Sequence, residues 1–329
     1  MLATRRRFVT TLTAAFMVLA VPASARGLTD GDRADAGAAY LTTQQRPNGS
    51  IPAFSPIGST ADAVLAFVAS DTESPSRKAA IGYLRAQVEK GNVNTVSLVA
   101  KVVQAVAAAG KDPRSFGGQD LVRWLRSRIK DSGKIGGATV FDQALAILAL
   151  EAGGTMPRRS TTDWLLAAQC PVGGWSFDNP YRPTKDDESC WNGSADDFFT
   201  ADTNTTSYAV MALEHAGRDS YTDDPIAFFQ SARDAVYEGW EYSPGFGTDA
   251  NSTALVIQAY AAAELGVPSG GLNALRALQP DVVLGAWAYN YVGDEPSDPD
   301  VGATIGAVPA ILQVPLPIVR AAPTSGRQG

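Results

Sequence analysis

The chain has 329 residues, 45% hydrophobic and 19% charged, with 31 Gly and 20 Pro, a composition that excludes the disordered, collagenous and fibrous classes. Its 34 acidic against 27 basic side chains give a formal charge of −7, which argues against binding nucleic acid or anionic lipid through a basic surface. One histidine, His215, and two cysteines, Cys170 and Cys190, are too few for a His-rich metal site or a four-cysteine zinc site, so neither a metal nor a cofactor is expected.

The first 25 residues read as an export signal. Arg5, Arg6 and Arg7 precede an apolar stretch from Leu12 to Val21, and Ala23-Ser24-Ala25 is the small-x-small pattern of signal peptidase, which places cleavage after Ala25. That stretch is shorter than the ~20 residues of a membrane span, and no later segment is long and charge-free enough to make one. Thr4 to Val9 resembles the twin-arginine signal of bacteria, with Thr10 where lysine is common; general secretion is the other route. The mature chain is an acidic, exported protein, periplasmic, cell-wall or extracellular. In an oxidising compartment Cys170 and Cys190 are the expected ends of one disulfide, worth about 3 kcal/mol in the chain-entropy picture; two buried free thiols are the alternative.

Beyond a linker at 26–33, helical patterns come in pairs, at about 34–70, 76–110, 118–153, 160–217, 224–266 and 271–314. The first helix of a pair carries one apolar stripe, as in Ile81, Leu84 and Val88 or Leu121, Leu125 and Ile129. The second is apolar on nearly every side, as in Val140 to Leu150. Between them stand glycine loops that look alike: Pro47 to Ile51, Ser132 to Ile135, Gly173 to Phe177, Glu238 to Tyr242 and Gly285 to Tyr289. Gly110, Gly153, Gly217 and Gly266 are read as left-handed stops of four second helices. A unit that cannot bury its own apolar helix must stack on neighbours, giving a helical solenoid or a closed ring, and the buried character of every second helix favours the ring. Residues 34–318 form one all-α domain, and 319–329 a disordered tail.

Gln169-Cys170-Pro171-Val172-Gly173-Gly174-Trp175 resembles the Q-x-x-x-G-x-W repeat of squalene-hopene and oxidosqualene cyclases, and Gln45 to Ile51 is similar with Ile in place of Trp. The resemblance implies the (α/α)6 toroid of terpenoid cyclases, protein prenyltransferase β-subunits and cobalamin carriers, six helical hairpins around a central cavity. It implies fold more than function, since the Gln and Trp of the repeat tie helix ends together on the outside.

Chemistry is expected at the starts of the second helices. Asp202-Thr203-Asn204-Thr205-Thr206 and Asp249-Ala250-Asn251-Ser252-Thr253 are one phrase repeated, with Asn92 to Thr95 a weaker third. Capping of the first helical turn accounts for these residues. The alternative is that equivalent helix ends converge on one rim, where Asp62, Asp142, Asp202, Asn204, Asp249 and Asn251, with Asp300, hold a ligand. In the cyclases that the repeat resembles, D-x-D-D stands here and its acid protonates an alkene. This chain has Asn204 and Thr205 at the third and fourth positions, and an amide cannot donate that proton. The helix N-terminus is expected to hold Asp202 as its anion. A prenyltransferase zinc site is missing too, because His215 ends a helix, where its imidazolium would suit the C-terminal dipole. The acidic insertion from Asn179 to Ala201 reads as a lid over the mouth, a solvated loop or a calcium loop.

The leading expectation is a monomeric, exported, non-catalytic binding protein for a small molecule or glycan, with a corrinoid, an isoprenoid or a glycan at the inner-helix mouth. The alternative is an enzyme of the same scaffold, a degenerate terpene cyclase or a carbohydrate-active hydrolase, the latter needing two acids about 5–10 Å apart.

Overall fold

The computed structural model describes residues 28–72, 75–177, 200–218, 220–221 and 224–318. The segment read as an export signal, Cys190, the insertion up to residue 199 and the tail from 319 lie outside the described residues.

Six hairpins follow one another. They are α1 (Asp30–Thr43) with α2 (Pro56–Ala69), α3 (Pro75–Glu89) with α4 (Val96–Ala108), and α5 (Leu121–Arg126) with α6 (Val140–Ala152). Then come α7 (Arg159–Leu166) with α8 (Thr203–His215), α9 (Pro225–Ser231) with α10 (Ala250–Ala262), and α11 (Ser269–Ala277) with α12 (Val301–Ile311). The even-numbered helices pack in succession from α2 to α12, and α12 returns against α2, so the ring is closed. The odd-numbered helices sit outside it. This is the (α/α)6 toroid, and its physical cause is visible helix by helix. The inner α6 buries every residue from Gln143 to Leu150, whereas the outer α3 buries Ser76, Ala80, Ile81, Leu84 and Val88, a single stripe.

The segment read as a linker at 26–33 is already helical from Asp30. Thr29 accepts from Asp32 N while Asp32 accepts from Thr29 N, a capping box that starts α1 four residues earlier than the apolar pattern suggests.

The glycine loops repeat one hydrogen-bond scheme. Trp175, Trp240 and Trp287 are wholly buried, and each indole N–H donates to an outer-helix carbonyl, of Leu165, Phe229 and Leu275, at 2.8, 2.9 and 2.8 Å. Each tryptophan's backbone N–H donates to a threonine of the following inner helix, Thr206, Thr253 or Thr304. Ile51 and Ile135 occupy the same place, donating to Thr60 and Gln143. Gln45 Nε2 donates to Gly49 O in its own loop and to Ser76 O in the next outer helix. Helix ends are thus tied within and between hairpins.

All six inner helices end alike. After α2, for example, Thr72 N donates to Phe67 O and Asp71 N to Val68 O, and the same pair of bonds recurs after each of the others. The left-handed residue is Gly110 or Gly217 as read from the sequence, but Gly154 rather than Gly153 and Glu264 rather than Gly266. Gly153 instead lies against Val122, where a Cβ would meet the side chain at 2.7 Å, so its smallness serves helix packing.

Candidate functional site

The closed ring leaves a cavity of about 200 Å³, lined mainly by the N-terminal halves of the inner helices. One wall is polar. Asp62 of α2 and Lys101 of α4 form an ion pair across it, Tyr208 and Asn204 of α8 stand beside them, and Asn251 comes from α10. Most of the rest of the lining is apolar, from Leu255 of α10 and Ile305 and Pro309 of α12, with Leu65, Phe141 and Leu316. Gly306 of α12 leaves room in the cavity, while Gly302, one turn earlier, packs against Phe54, which a Cβ there would meet at 2.8 Å. Phe54 forms the rim and is 83% exposed.

The electrostatics follow from burial and pairing. Burial works against the Lys101 charge, but Asp62, with help from Tyr208 and Asp142, holds its pKa above the ordinary lysine value. Lys101 therefore stays cationic. Burial pushes the Tyr208 phenol up to about 12, so it stays neutral.

The structure separates the six residues expected at the mouth. Asp62, Asn204 and Asn251 line the cavity. Asp142, Asp202 and Asp249 do not; each works at the start of its helix. Asp142 completes a capping box with Thr139, and Asp249 accepts from Ser252 N at 2.8 Å and from Ser252 Oγ at 2.7 Å. Asp202 caps α8 by accepting from Thr205 N at 2.7 Å, and its Oδ2 is buried with no hydrogen-bond partner among the described residues. Asp300 caps α12 in the same way. The reason is local: Asp202 and Asp249 at N-cap and Asp142 at N3 bond back onto their own first turns, whereas Asn204 and Asn251, two residues past N-cap, and Asp62, two turns in, are left to line the cavity.

Two electrostatic expectations are corrected. The helix N-terminus was expected to hold Asp202 as an anion, but burial outweighs it and pushes the carboxyl up to about 7. Burial likewise lowers the His215 pKa, so at neutral pH the ring is uncharged and is no partner for the helix dipole. Lys101, Tyr208 and the glycines of α12 escaped the sequence reading. Lys101 had a signal, as the one cation inside the otherwise apolar run of α4.

Chemically, Asp62 is the one carboxylate lining the cavity among the described residues, and it is already paired with Lys101. No group of three or more His, Cys, Asp or Glu side chains suited to a metal ion occurs among the described residues. Cys170 is fully buried. No helix among the described residues is long and apolar enough to cross a membrane.

No protein-family model matches the chain, and no curated protein matches it. Solved structures do. An alpha-1,6-mannanase of Salegentibacter sp. aligns with TM-score 0.56 at 14% identity, over 87% of this chain and 98% of its own. A type II terpene cyclase from Scytonema, MstE, in complex with geranylgeranyl dihydroxybenzoate, aligns with TM-score 0.56 at 14% identity over 87% of this chain and 97% of its own. A protein from Actinoplanes aligns with TM-score 0.52 at 14% identity over 86% and 98%. At these identities the likeness is one of fold, the toroid shared by a glycan-cleaving and a terpene-cyclising enzyme.

Proposed function

We propose that this is an exported, non-catalytic binding protein whose toroid holds a small ligand in the cavity between the inner helices. The observation that carries the reading is the lining itself: apolar side chains with a few polar groups among them, and one carboxylate already paired with Lys101. Glycoside hydrolysis needs two cooperating carboxyl groups, and alkene protonation needs a free acid in the cavity; the described lining offers neither. Asn204, on the lining, stands where the cyclase-like phrase would carry an acid. Export rests on the sequence of residues 1–25, and a Cys170–Cys190 bridge on the oxidising compartment that export implies, in keeping with the buried Cys170. A cavity of this size suits a ligand smaller than a typical drug molecule, or one end of a longer one, and disfavours a whole corrinoid. The protein is taken to act as a monomer.

The test is mass spectrometry of small molecules retained by protein purified from its native host, with turnover assays on mannan oligosaccharides and geranylgeranyl compounds alongside. A retained ligand and no turnover supports the reading. Turnover that disappears in Asp62→Asn or Asp202→Asn would make the protein an enzyme and end it.

A further inference from the structure

The cavity's charges sum to nothing, and this narrows the ligand. Its only charged lining residues among those described are Asp62 and Lys101, which are paired with each other and are only 28% and 20% exposed. The Tyr208 phenol beside them is neutral. A ligand bringing its own charge would have to split that pair or leave one charge unmatched in a poorly solvated place.

Unused hydrogen-bonding capacity remains beside the pair. Asn204 Oδ1 is buried and has no partner among the described residues. Lys101 carries three N–H donors, of which Asp62 takes one. A donor, Lys101, and an acceptor, Asn204, therefore line the cavity, while Leu255, Ile305, Leu65 and Leu316 give it apolar surface. Gln258 also lines the cavity, with one of its amide N–H groups committed to Val314 O at 2.7 Å.

Resting on the ligand-binding reading above, we propose that the ligand is an uncharged amphiphile, an apolar body bearing a hydroxyl. The hydroxyl accepts from Lys101 and donates to Asn204 Oδ1, leaving the Asp62–Lys101 pair intact. A sugar, with polar groups on every face, would leave most of them facing the apolar lining unpaired.

Three probes that share one body and differ in charge test this: octan-1-ol, octanoate and octylammonium, titrated calorimetrically into the mature chain at pH 7. Octanol is expected to bind at least tenfold more tightly than either ion. Lys101→Met, which leaves the Asp62 charge alone, should shift the preference toward octylammonium; Asp62→Leu should shift it toward octanoate. The Lys101→Met/Asp62→Leu double variant should again prefer octanol. Circular dichroism confirms folding of each variant, and the wild-type comparison decides the question even where a single variant fails to fold. Tighter binding of octanoate or octylammonium to wild type overturns the inference, as does binding of none of the three to folded protein. In either case the ligand-binding reading is judged separately, by whether a ligand is retained from the native host.

Discussion

Arg276 of the last outer helix grips Asp30 of the first, its Nε and Nη2 donating to Oδ1 and Oδ2 at 2.8 and 2.7 Å across 246 residues of sequence. Beside this pair, Gln279 Nε2 donates to Arg33 O and Arg33 Nη1 donates to Gln279 Oε1, both at 3.1 Å. The ring is therefore latched where its two ends meet. A bidentate pair that is part-buried should couple by about 1 kcal/mol. A double-mutant cycle of Asp30→Ala and Arg276→Ala in urea measures that coupling. Gln279→Ala, which strips buried carbonyls of their donor, should cost about 1–3 kcal/mol on its own.

Inner-helix ends offer stabilisation. Glu264 and Gln313 hold the left-handed position with φ of 54° and 55°, where a side chain is strained and glycine is not. Glu264→Gly and Gln313→Gly should each raise stability by about 0.5–1 kcal/mol. Gly110→Ala should lower it by a similar amount through the backbone alone, because nothing lies within 4 Å of the added Cβ. Thermal melts of the three variants check the opposite signs.

Two buried acids set the response to pH. Burial pushes Asp202 to about 7 and Glu151, whose carboxyl oxygens have no hydrogen-bond partner among the described residues, to about 8. Both folded pKa values lie above the unfolded ones, near 4, so between about pH 4 and pH 7–8 the native state holds more protons than the unfolded state. Stability should fall as pH rises through that window, by up to about 1.4 kcal/mol per pH unit per group, and level off above it. Asp202→Asn keeps a capping oxygen and Glu151→Gln keeps the shape. Each should flatten the slope and raise stability at pH 8, as read by urea midpoints from pH 4 to 9. A slope unchanged in both variants would place the dependence elsewhere.

Gly306 of α12 controls the cavity. A Cβ at Gly306 meets nothing nearer than Asn251 Oδ1 at 3.6 Å, so Gly306→Ala should stabilise α12 by roughly 0.5–1 kcal/mol and leave the cavity open. Gly306→Leu should fill it and abolish retention of ligand while the protein stays folded. Native mass spectrometry and a melt of the same samples separate the two effects.

Local chemistry wrote most of this fold into the chain. The hairpin pairing and the buried character of α2, α4, α6, α8, α10 and α12 follow from apolar periodicity and loop residues, which act over a few positions, while the tying role of Trp175 is what the resemblance to the cyclase repeat implies. The start of α1 at Asp30 and the left-handed Glu264 escaped because each depends on a hydrogen bond or a backbone angle rather than on an apolar pattern. The site was half legible. Asp62, Asn204 and Asn251 face the cavity, but Asp142, Asp202 and Asp249 turn back to cap their own helices, and sequence alone cannot separate a capping carboxylate from one that faces a ligand. Closure by Arg276 and Asp30, the pairing of Lys101 with Asp62, and the rise of the Asp202 pKa are decided only by the ring. Each depends on how close or how dry residues far apart in the chain become once six hairpins have met.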